Sequence, residues 1–129
     1  MKKNPVVHFE MPAQDLKRVN TFYTDTFGWD MNQLGNDMGN YLLSNSADVD
    51  ENGMAKTPGA INGGFYKSEK AEPPHFVISV DNLEQHMKTV TENGGTIIDK
   101  PMDIPGIGTF VMIKDTEGNK VGMLQPVSM

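Results

Sequence analysis

The sequence predicts an α+β fold made of two copies of one β-α-β-β-β unit. One dipeptide and two single residues recur at one fixed offset along the chain, namely His8-Phe9 with His75-Phe76, Leu16 with Leu83, and Gly28 with Gly95. Each of these histidines lies in a segment with strand-like alternation, and a segment with helical spacing follows it. Identities at a fixed offset indicate duplicated supersecondary units that bury a shared core.

The first unit begins with a strand at residues 6–11, in which apolar and polar residues alternate. Its polar face carries His8 and Glu10. Apolar residues at helical spacing then predict a helix that is capped by Asp15 and ends at Gly28. Turn-forming residues separate the strands that complete the unit, which are predicted at residues 29–33, 39–45 and 60–66.

Several breaks interrupt these elements. Pro12 is expected to end the first strand because proline lacks a backbone N–H. Residues 46–59 are polar and acidic, which favours a solvated loop, with a mobile lid as the alternative. Gly63-Gly64 suggests a bulge or the close approach of a ligand. Residues 67–74 are charged and end in two prolines, which indicates a linker.

The second unit repeats the plan. A strand is predicted at residues 75–80, and Asn82 with Gln85 forms a capping pair at the start of a helix. Glu92 to Gly95 is expected to end that helix. Three strands follow at residues 96–100, 109–114 and 120–125. The chain is therefore predicted to be one domain over residues 1–129, with module one at 5–67, the linker at 67–74 and module two at 75–127.

Composition limits the class of protein. The formal charge is -6 and the sequence pI is about 4.9, which argues against a nucleic-acid partner. No apolar run is long enough to cross a bilayer, and Met1-Lys2-Lys3 is not followed by the apolar segment of a secretory signal. The chain has no cysteine, which excludes disulfides and thiol chemistry. We expect a cytoplasmic protein that has no membrane partner.

Both halves carry short motifs at matching places, namely His8, Asp15-Leu16 and Phe22-Tyr23, then His75, Val80-Asp81, Gly94-Gly95 and Asp115 with Gly118-Asn119. This set resembles the vicinal oxygen chelate superfamily, which includes glyoxalase I, bleomycin-resistance proteins and extradiol dioxygenases. The resemblance covers about residues 5–126. It implies two βαβββ modules that form a half-open eight-stranded barrel around a cavity, with the helices outside. It also implies a homodimer.

The resemblance to glyoxalase I implies a metal site that this sequence only half supplies. There, a divalent metal is held by one residue on the first strand and one on the last strand of each module. His8 and His75 match the first-strand positions. The last-strand positions carry glutamate in glyoxalase I, but here they are expected at Gly122 and at Asn62 or Gly63. Since a metal favours anionic ligands and that glutamate also moves the proton, we expect no glyoxalase I reaction.

Seven residues are predicted to contact a ligand. Glu10 is also the candidate catalytic residue, as a general base or a displaced metal ligand, and the alternative is a strand-end carboxylate that reaches solvent. His8 and His75 are the candidate metal ligands. The other predicted ligand contacts are Tyr41, Asn62, Phe110 and Gly122, although rings in strands more often belong to the core.

Three functions remain open from the sequence. The first is binding of a small organic molecule in the cavity between the modules, without a cofactor. The second is a lyase, isomerase or dioxygenase in which His8 and His75, with Glu10 or water, bind Zn, Ni, Fe or Mn. The third is a non-catalytic interaction module that contacts another protein through residues 46–59.

Overall fold

A computed structural model of the chain describes residues 2–127. Within these residues there are two α-helices and nine strands, so the predicted α+β class is confirmed. Contacts divide the described chain into two compact units, one of residues 8–74 and one of residues 2–7 with 75–127. The predicted domain over 1–129 also includes Met1, Ser128 and Met129, which lie outside the described residues.

The first unit has the predicted β-α-β-β-β order. Its strands are arranged β2-β3-β4-β1, with β4 parallel to β1 and antiparallel to β3. The elements are β1 (Val6–Ala13), α1 (Leu16–Phe27), β2 (Asp30–Gln33), β3 (Leu42–Asn45) and β4 (Gly63–Lys67). The prediction that Pro12 ends the first strand is wrong, because Pro12 pairs with Tyr66 inside β1. Its fixed φ suits an extended chain, and only its N–H is lost.

Both predicted ends of α1 are confirmed. The Asp15 side chain accepts a hydrogen bond of 3.0 Å from the backbone N–H of Arg18. Gly28 follows the helix in the left-handed conformation, at φ 71, and its N–H bonds to the Thr24 carbonyl. These two contacts satisfy backbone groups that a helix end leaves unpaired.

β3 is shorter than the predicted strand at 39–45 because a tight turn precedes it. Asn36–Met38 form a 3-10 helix, and Gly39 and Asn40 then take left-handed φ values of 66 and 57. Such values are incompatible with a strand. The turn delivers Tyr41, whose N–H bonds to the Met38 carbonyl at 3.3 Å, to the position immediately before β3.

The second unit contains one strand more than the repeat predicts. β9 lies between β5, to which it is parallel, and β8, to which it is antiparallel, and β8 also pairs with β6 and β7. The elements are β5 (His75–Ser79), α2 (Leu83–Glu92), β6 (Thr96–Ile97), β7 (Met102–Ile104), β8 (Gly108–Lys114) and β9 (Lys120–Pro126). Asn82 caps α2 as predicted, by accepting the Gln85 N–H.

The additional strand β7 was not predicted from the sequence because prolines flank it. Pro101 and Pro105 bracket it, and prolines indicate turns when only the sequence is known. β7 nevertheless forms a short hairpin with the start of β8, in which Met102 pairs with Phe110 and Ile104 with Gly108. The described chain therefore has nine strands where eight were expected.

The Asp115 motif closes the turn between β8 and β9. One oxygen of the Asp115 carboxylate accepts the backbone N–H groups of Glu117 and Asn119, at 2.8 and 2.9 Å. Gly118 supplies the left-handed residue, at φ 84. In this chain the motif aligns β9 with β8, which sets the register of Gly122 in the sheet.

Each unit has its own apolar core. In the first unit, Leu42 is 0% exposed and Phe65 is 2% exposed, and the Tyr23 ring packs on Phe65 and stacks on Trp29. In the second unit the core consists of Val80, Leu83, Val111, Ile113, Val121 and Met123. Among residues 2–127, neither α-helix is long and apolar enough to span a membrane.

Leu42→Ala tests the first core. Leu42 is completely buried, so the substitution should lower the free energy of unfolding by about 2–5 kcal/mol through lost apolar contact and the remaining cavity. Urea denaturation measures this change. Leu43→Ala is the matched control at a half-buried neighbour and should have a smaller effect. Equal losses in the two variants would contradict this description of the core.

Candidate ligand site in the first module

A chain of hydrogen bonds joins three of the predicted site residues in the first unit. His8 and Glu10 lie on the same face of β1, two residues apart. The hydroxyl of Tyr41 donates to Glu10 Oε2 at 2.9 Å and lies 2.9 Å from His8 Nε2. The structure therefore brings together a phenol, a carboxylate and an imidazole, all half-buried.

The direction of these hydrogen bonds fixes the proton on His8. Tyr41 has one hydroxyl proton and donates it to Glu10, so its contact with His8 requires Nε2–H of His8 to be the donor. Burial first, and then the neighbouring Glu10 carboxylate, raise the pKa of Tyr41 far above its ordinary value. Tyr41 consequently stays protonated at every physiological pH.

Gly64 makes room for the Tyr41 ring. A Cβ atom at Gly64 would overlap with the ring and hydroxyl of Tyr41. Gly63 is required for a different close approach, because a Cβ there would overlap with the backbone carbonyl and ring of Phe9. The predicted close approach at Gly63-Gly64 is therefore made by side chains and backbone of the protein itself.

A second tyrosine–carboxylate pair was not predicted from the sequence. The Tyr66 hydroxyl donates to Glu72 Oε2 at 3.0 Å. Burial, together with this hydrogen bond and the charges of Glu72 and Glu10, raises the pKa of Tyr66 to about 12. Strand alternation could have indicated Tyr66, because it lies two residues after Gly64 and so on the same face of β4. Nothing local to the sequence indicates Glu72, which lies in the linker.

Asn62 holds the base of the 46–59 loop. Its side-chain oxygen accepts the backbone N–H of Ala47 at 3.0 Å, and its backbone carbonyl accepts the Phe9 N–H at 3.4 Å. The Asn62 Nδ2 atom is buried and is without a hydrogen-bond partner among the described residues. The predicted ligand contact at Asn62 remains a prediction, and its observed contacts are structural.

The predicted site residues of the second unit form a different arrangement. His75 opens β5 and is 8% exposed. Gly122, in β9, pairs with Val77 of β5, and the Phe110 ring lies over it. A Cβ at Gly122 would lie 2.6 Å from a Phe110 ring carbon, so the space that a side chain would use there is filled.

The sheet register identifies which first-unit residue is equivalent to Gly122. Gly122 pairs with Val77, two residues after His75, and Gly64 pairs with Glu10, two residues after His8. Gly64 is therefore the equivalent position, and the expectation of Asn62 or Gly63 is wrong. The error arose because the distance between β3 and β4 in the sequence differs from that between β8 and β9, and only pairing reveals the register.

The divalent metal that the resemblance implies does not fit these residues. Among residues 2–127, no three His, Cys, Asp or Glu side chains lie together in a way that could hold a metal ion. Both last-strand positions are glycine, and an aromatic ring covers each of them. His8 Nε2 is also engaged with the Tyr41 hydroxyl.

A shallow groove of about 560 Å³ lies elsewhere on the first unit. It runs between the end of β1, the first turns of α1 and the linker. Glu72, which accepts the hydroxyl proton of Tyr66, is among its lining residues. The groove residues are Pro12, Ala13, Gln14, Asp15, Arg18, Val19, Phe22, Ser68, Lys70, Ala71 and Glu72.

Comparison with known proteins identifies the family. Residues 6–123 match the Glyoxalase/Bleomycin resistance protein/Dioxygenase superfamily, so the chain belongs to this family. A glyoxylase-like domain-containing protein of Didymella fabae is 30% identical over 117 residues, which cover 85% of this chain and 84% of that protein. The resemblance found from the sequence motifs is thereby confirmed.

Solved structures show the same fold. A hypothetical protein from Bacillus halodurans C-125 is similar with a TM-score of 0.69 and 16% identity, over 99% of this chain and 98% of that chain. Methylmalonyl-CoA epimerase from Mycobacterium tuberculosis gives a TM-score of 0.67 and 14% identity, over 95% and 88%. A member of the superfamily from Vibrio splendidus 12B01 gives 0.62 and 13%, over 95% and 99%.

Tyr41→Phe tests the hydrogen-bond chain. The substitution removes one hydroxyl that serves both Glu10 and His8, and it should lower the free energy of unfolding by about 1–3 kcal/mol. Nitrogen NMR of the His8 ring should show the proton on Nε2 in the wild type and a changed Nε2 signal in the variant. Tyr23→Phe, at a ring that stacks on Trp29, is the control and should leave His8 unchanged. A wild-type His8 protonated only on Nδ1 would contradict the assignment.

The raised pKa of Tyr66 predicts how the stability of the folded protein depends on pH. Its pKa in the folded protein, about 12, lies above the ordinary value of about 10, so the folded state holds the phenol proton more tightly than the unfolded chain. This contribution to stability is complete below about pH 10 and is lost as the pH rises to about 12. Phenolate absorbance should show a transition near pH 12 that Tyr66→Phe removes and Glu72→Gln lowers. A Tyr66 that ionises near pH 10 would contradict the paired geometry.

Proposed function

We propose that this protein binds a small organic molecule at the face that carries His8, Glu10 and Tyr41, and that it does not catalyse the glyoxalase I reaction. Ligand binding is supported by the polar groups that His8, Glu10 and Tyr41 bring together. The absence of the glyoxalase I reaction is supported by the filling of both last-strand positions by rings, Tyr41 over Gly64 and Phe110 over Gly122. A carboxylate in those positions would supply the metal ligand and the base of that reaction.

The charges of the site favour a particular chemistry in the ligand. The Tyr41 hydroxyl donates its proton to Glu10 and stays protonated. Glu10 pairs with Gly64 of β4, and Glu72 accepts the hydroxyl proton of Tyr66 in the same strand, so two carboxylates lie beside β4. Because carboxylate oxygens accept hydrogen bonds, we propose a ligand that donates them through amide, hydroxyl or ammonium groups.

An enzyme that moves a proton is the second candidate. The contact of 2.9 Å between the Tyr41 hydroxyl and Glu10 Oε2 supports it, because a general base must be held in a fixed orientation. Methylmalonyl-CoA epimerases are among the solved structures that share this fold. Acyl-CoA esters therefore belong in any set of compounds to be tested, and the chemistry proposed for this chain uses Glu10 without a metal.

Assembly and location remain proposals. We propose a homodimer in the cytoplasm, as expected from the family resemblance, the net charge of -6 and the lack of cysteine. The exposed rings of Phe22 and Phe27 on α1 are compatible with contact to another protein surface. A non-catalytic interaction through residues 46–59 is the third candidate function.

A ligand screen tests the proposed function. Acyl-CoA esters, aromatic amines and hydroxylated aromatic compounds should be examined for an increase in melting temperature, since binding to the folded state stabilises it. Affinity for a compound that binds should fall about tenfold or more in Glu10→Gln and in Tyr41→Phe, because each removes a charged or hydrogen-bonding partner. Glu117→Gln, in an exposed turn, is the control. A binding compound whose affinity is unchanged in both site variants would place its site elsewhere.

A further inference from the structure

We infer that Tyr41 is the residue that keeps a divalent metal from binding beside His8 and Glu10, because its ring fills the space at Gly64 that a carboxylate on the last strand of the first module would need. The inference is independent of which organic molecule the protein binds. It rests on the sheet register, on the space around Gly64 and on the hydrogen bonds of the Tyr41 hydroxyl.

The Tyr41 ring reaches Gly64 through a diagonal cross-strand contact, which is a regular feature of antiparallel sheets. Leu43 pairs with Gly64, and Tyr41 lies two residues before Leu43, so its ring reaches Gly64 diagonally. Met112 pairs with Gly122, and Phe110 lies two residues before Met112. An aromatic ring that lies diagonally over a glycine covers the gap that the missing side chain leaves.

The same diagonal arrangement thus occurs once in each module, at equivalent positions. Gly64 and Gly122 both stand opposite the residue that lies two places after the module's first histidine. A Cβ added at either glycine meets the covering ring first among side chains. Each glycine is therefore matched to its ring, and neither opens space for a ligand.

The two modules differ in what the ring carries. Phe110 brings only apolar surface to Gly122, whereas Tyr41 also brings a hydroxyl that bonds to Glu10 and His8. In the first module the hydroxyl holds the proton of His8 on Nε2 and directs one Glu10 oxygen. Both groups are thereby turned toward Tyr41, and a metal ion would have to replace these hydrogen bonds.

Two substitutions should convert this face into a metal site. Tyr41→Ala removes the ring and the hydroxyl, and Gly64→Glu adds a carboxylate directly opposite Glu10. Together with His8 this gives three ligands of the types that bind Zn²⁺ and Ni²⁺. Gly64 lies within β4, where the backbone conformation accepts any L-residue.

The test is metal binding by the purified full chain, with Zn²⁺ and Ni²⁺ as the probes. Tyr41→Ala/Gly64→Glu should bind about one equivalent, measured by calorimetry and elemental analysis, and His8→Ala in that background should weaken binding at least tenfold. Gly64→Glu alone should not bind at stoichiometry, because the Tyr41 ring remains. Tyr41→Ala/Gly64→Gln is the matched control, with the same shape and no new charge.

The inference is overturned by any of three results. These are stoichiometric His8-dependent metal binding by the wild type, equal binding by Gly64→Glu alone, or no binding by a folded double variant.

If the double variant does not fold, the melting temperatures of Gly64→Ala, Tyr41→Ala and their combination decide. If the Tyr41 ring and Gly64 fit each other, the double variant Gly64→Ala/Tyr41→Ala should have a higher melting temperature than Gly64→Ala alone. If the losses of the two single variants simply add, the fit of the ring to the glycine is refuted. None of these outcomes depends on finding an organic ligand.

Discussion

The contact between the Tyr41 hydroxyl and the carboxylate of Glu10 organises the polar face of the first module. A phenol has a single proton, so giving it to Glu10 requires His8 to donate in turn. Three side chains, two from β1 and one from the residue before β3, thereby acquire one consistent pattern of hydrogen bonds. The pattern depends on Gly64, because a Cβ there would overlap with the ring that carries the hydroxyl.

The positions that pair with the first strand are equivalent in the two modules. The strands that carry His8 and His75 are in place, and the two modules share the same register around them. Gly64 and Gly122 are the positions that pair with those strands. Both positions are glycine in this chain, and an aromatic ring covers each of them.

The fold was predicted well where local sequence decides the structure. The caps of both helices were correct because a side chain at Asp15 or Asn82 bonds to a backbone N–H only three residues away. Errors arose where pairing decides. Pro12 lies inside a strand, and β7 is held by β8 despite its flanking prolines.

The sequence by itself determined the two duplicated units and the placement of His8 and Glu10 on one strand face. These features follow from composition and short-range periodicity, which the chain carries locally. Only the tertiary structure decided that Gly64 is the equivalent of Gly122 and that Tyr41 joins Glu10 to His8. Both depend on the register between strands that are distant in the sequence, and that register is set by pairing across the sheet.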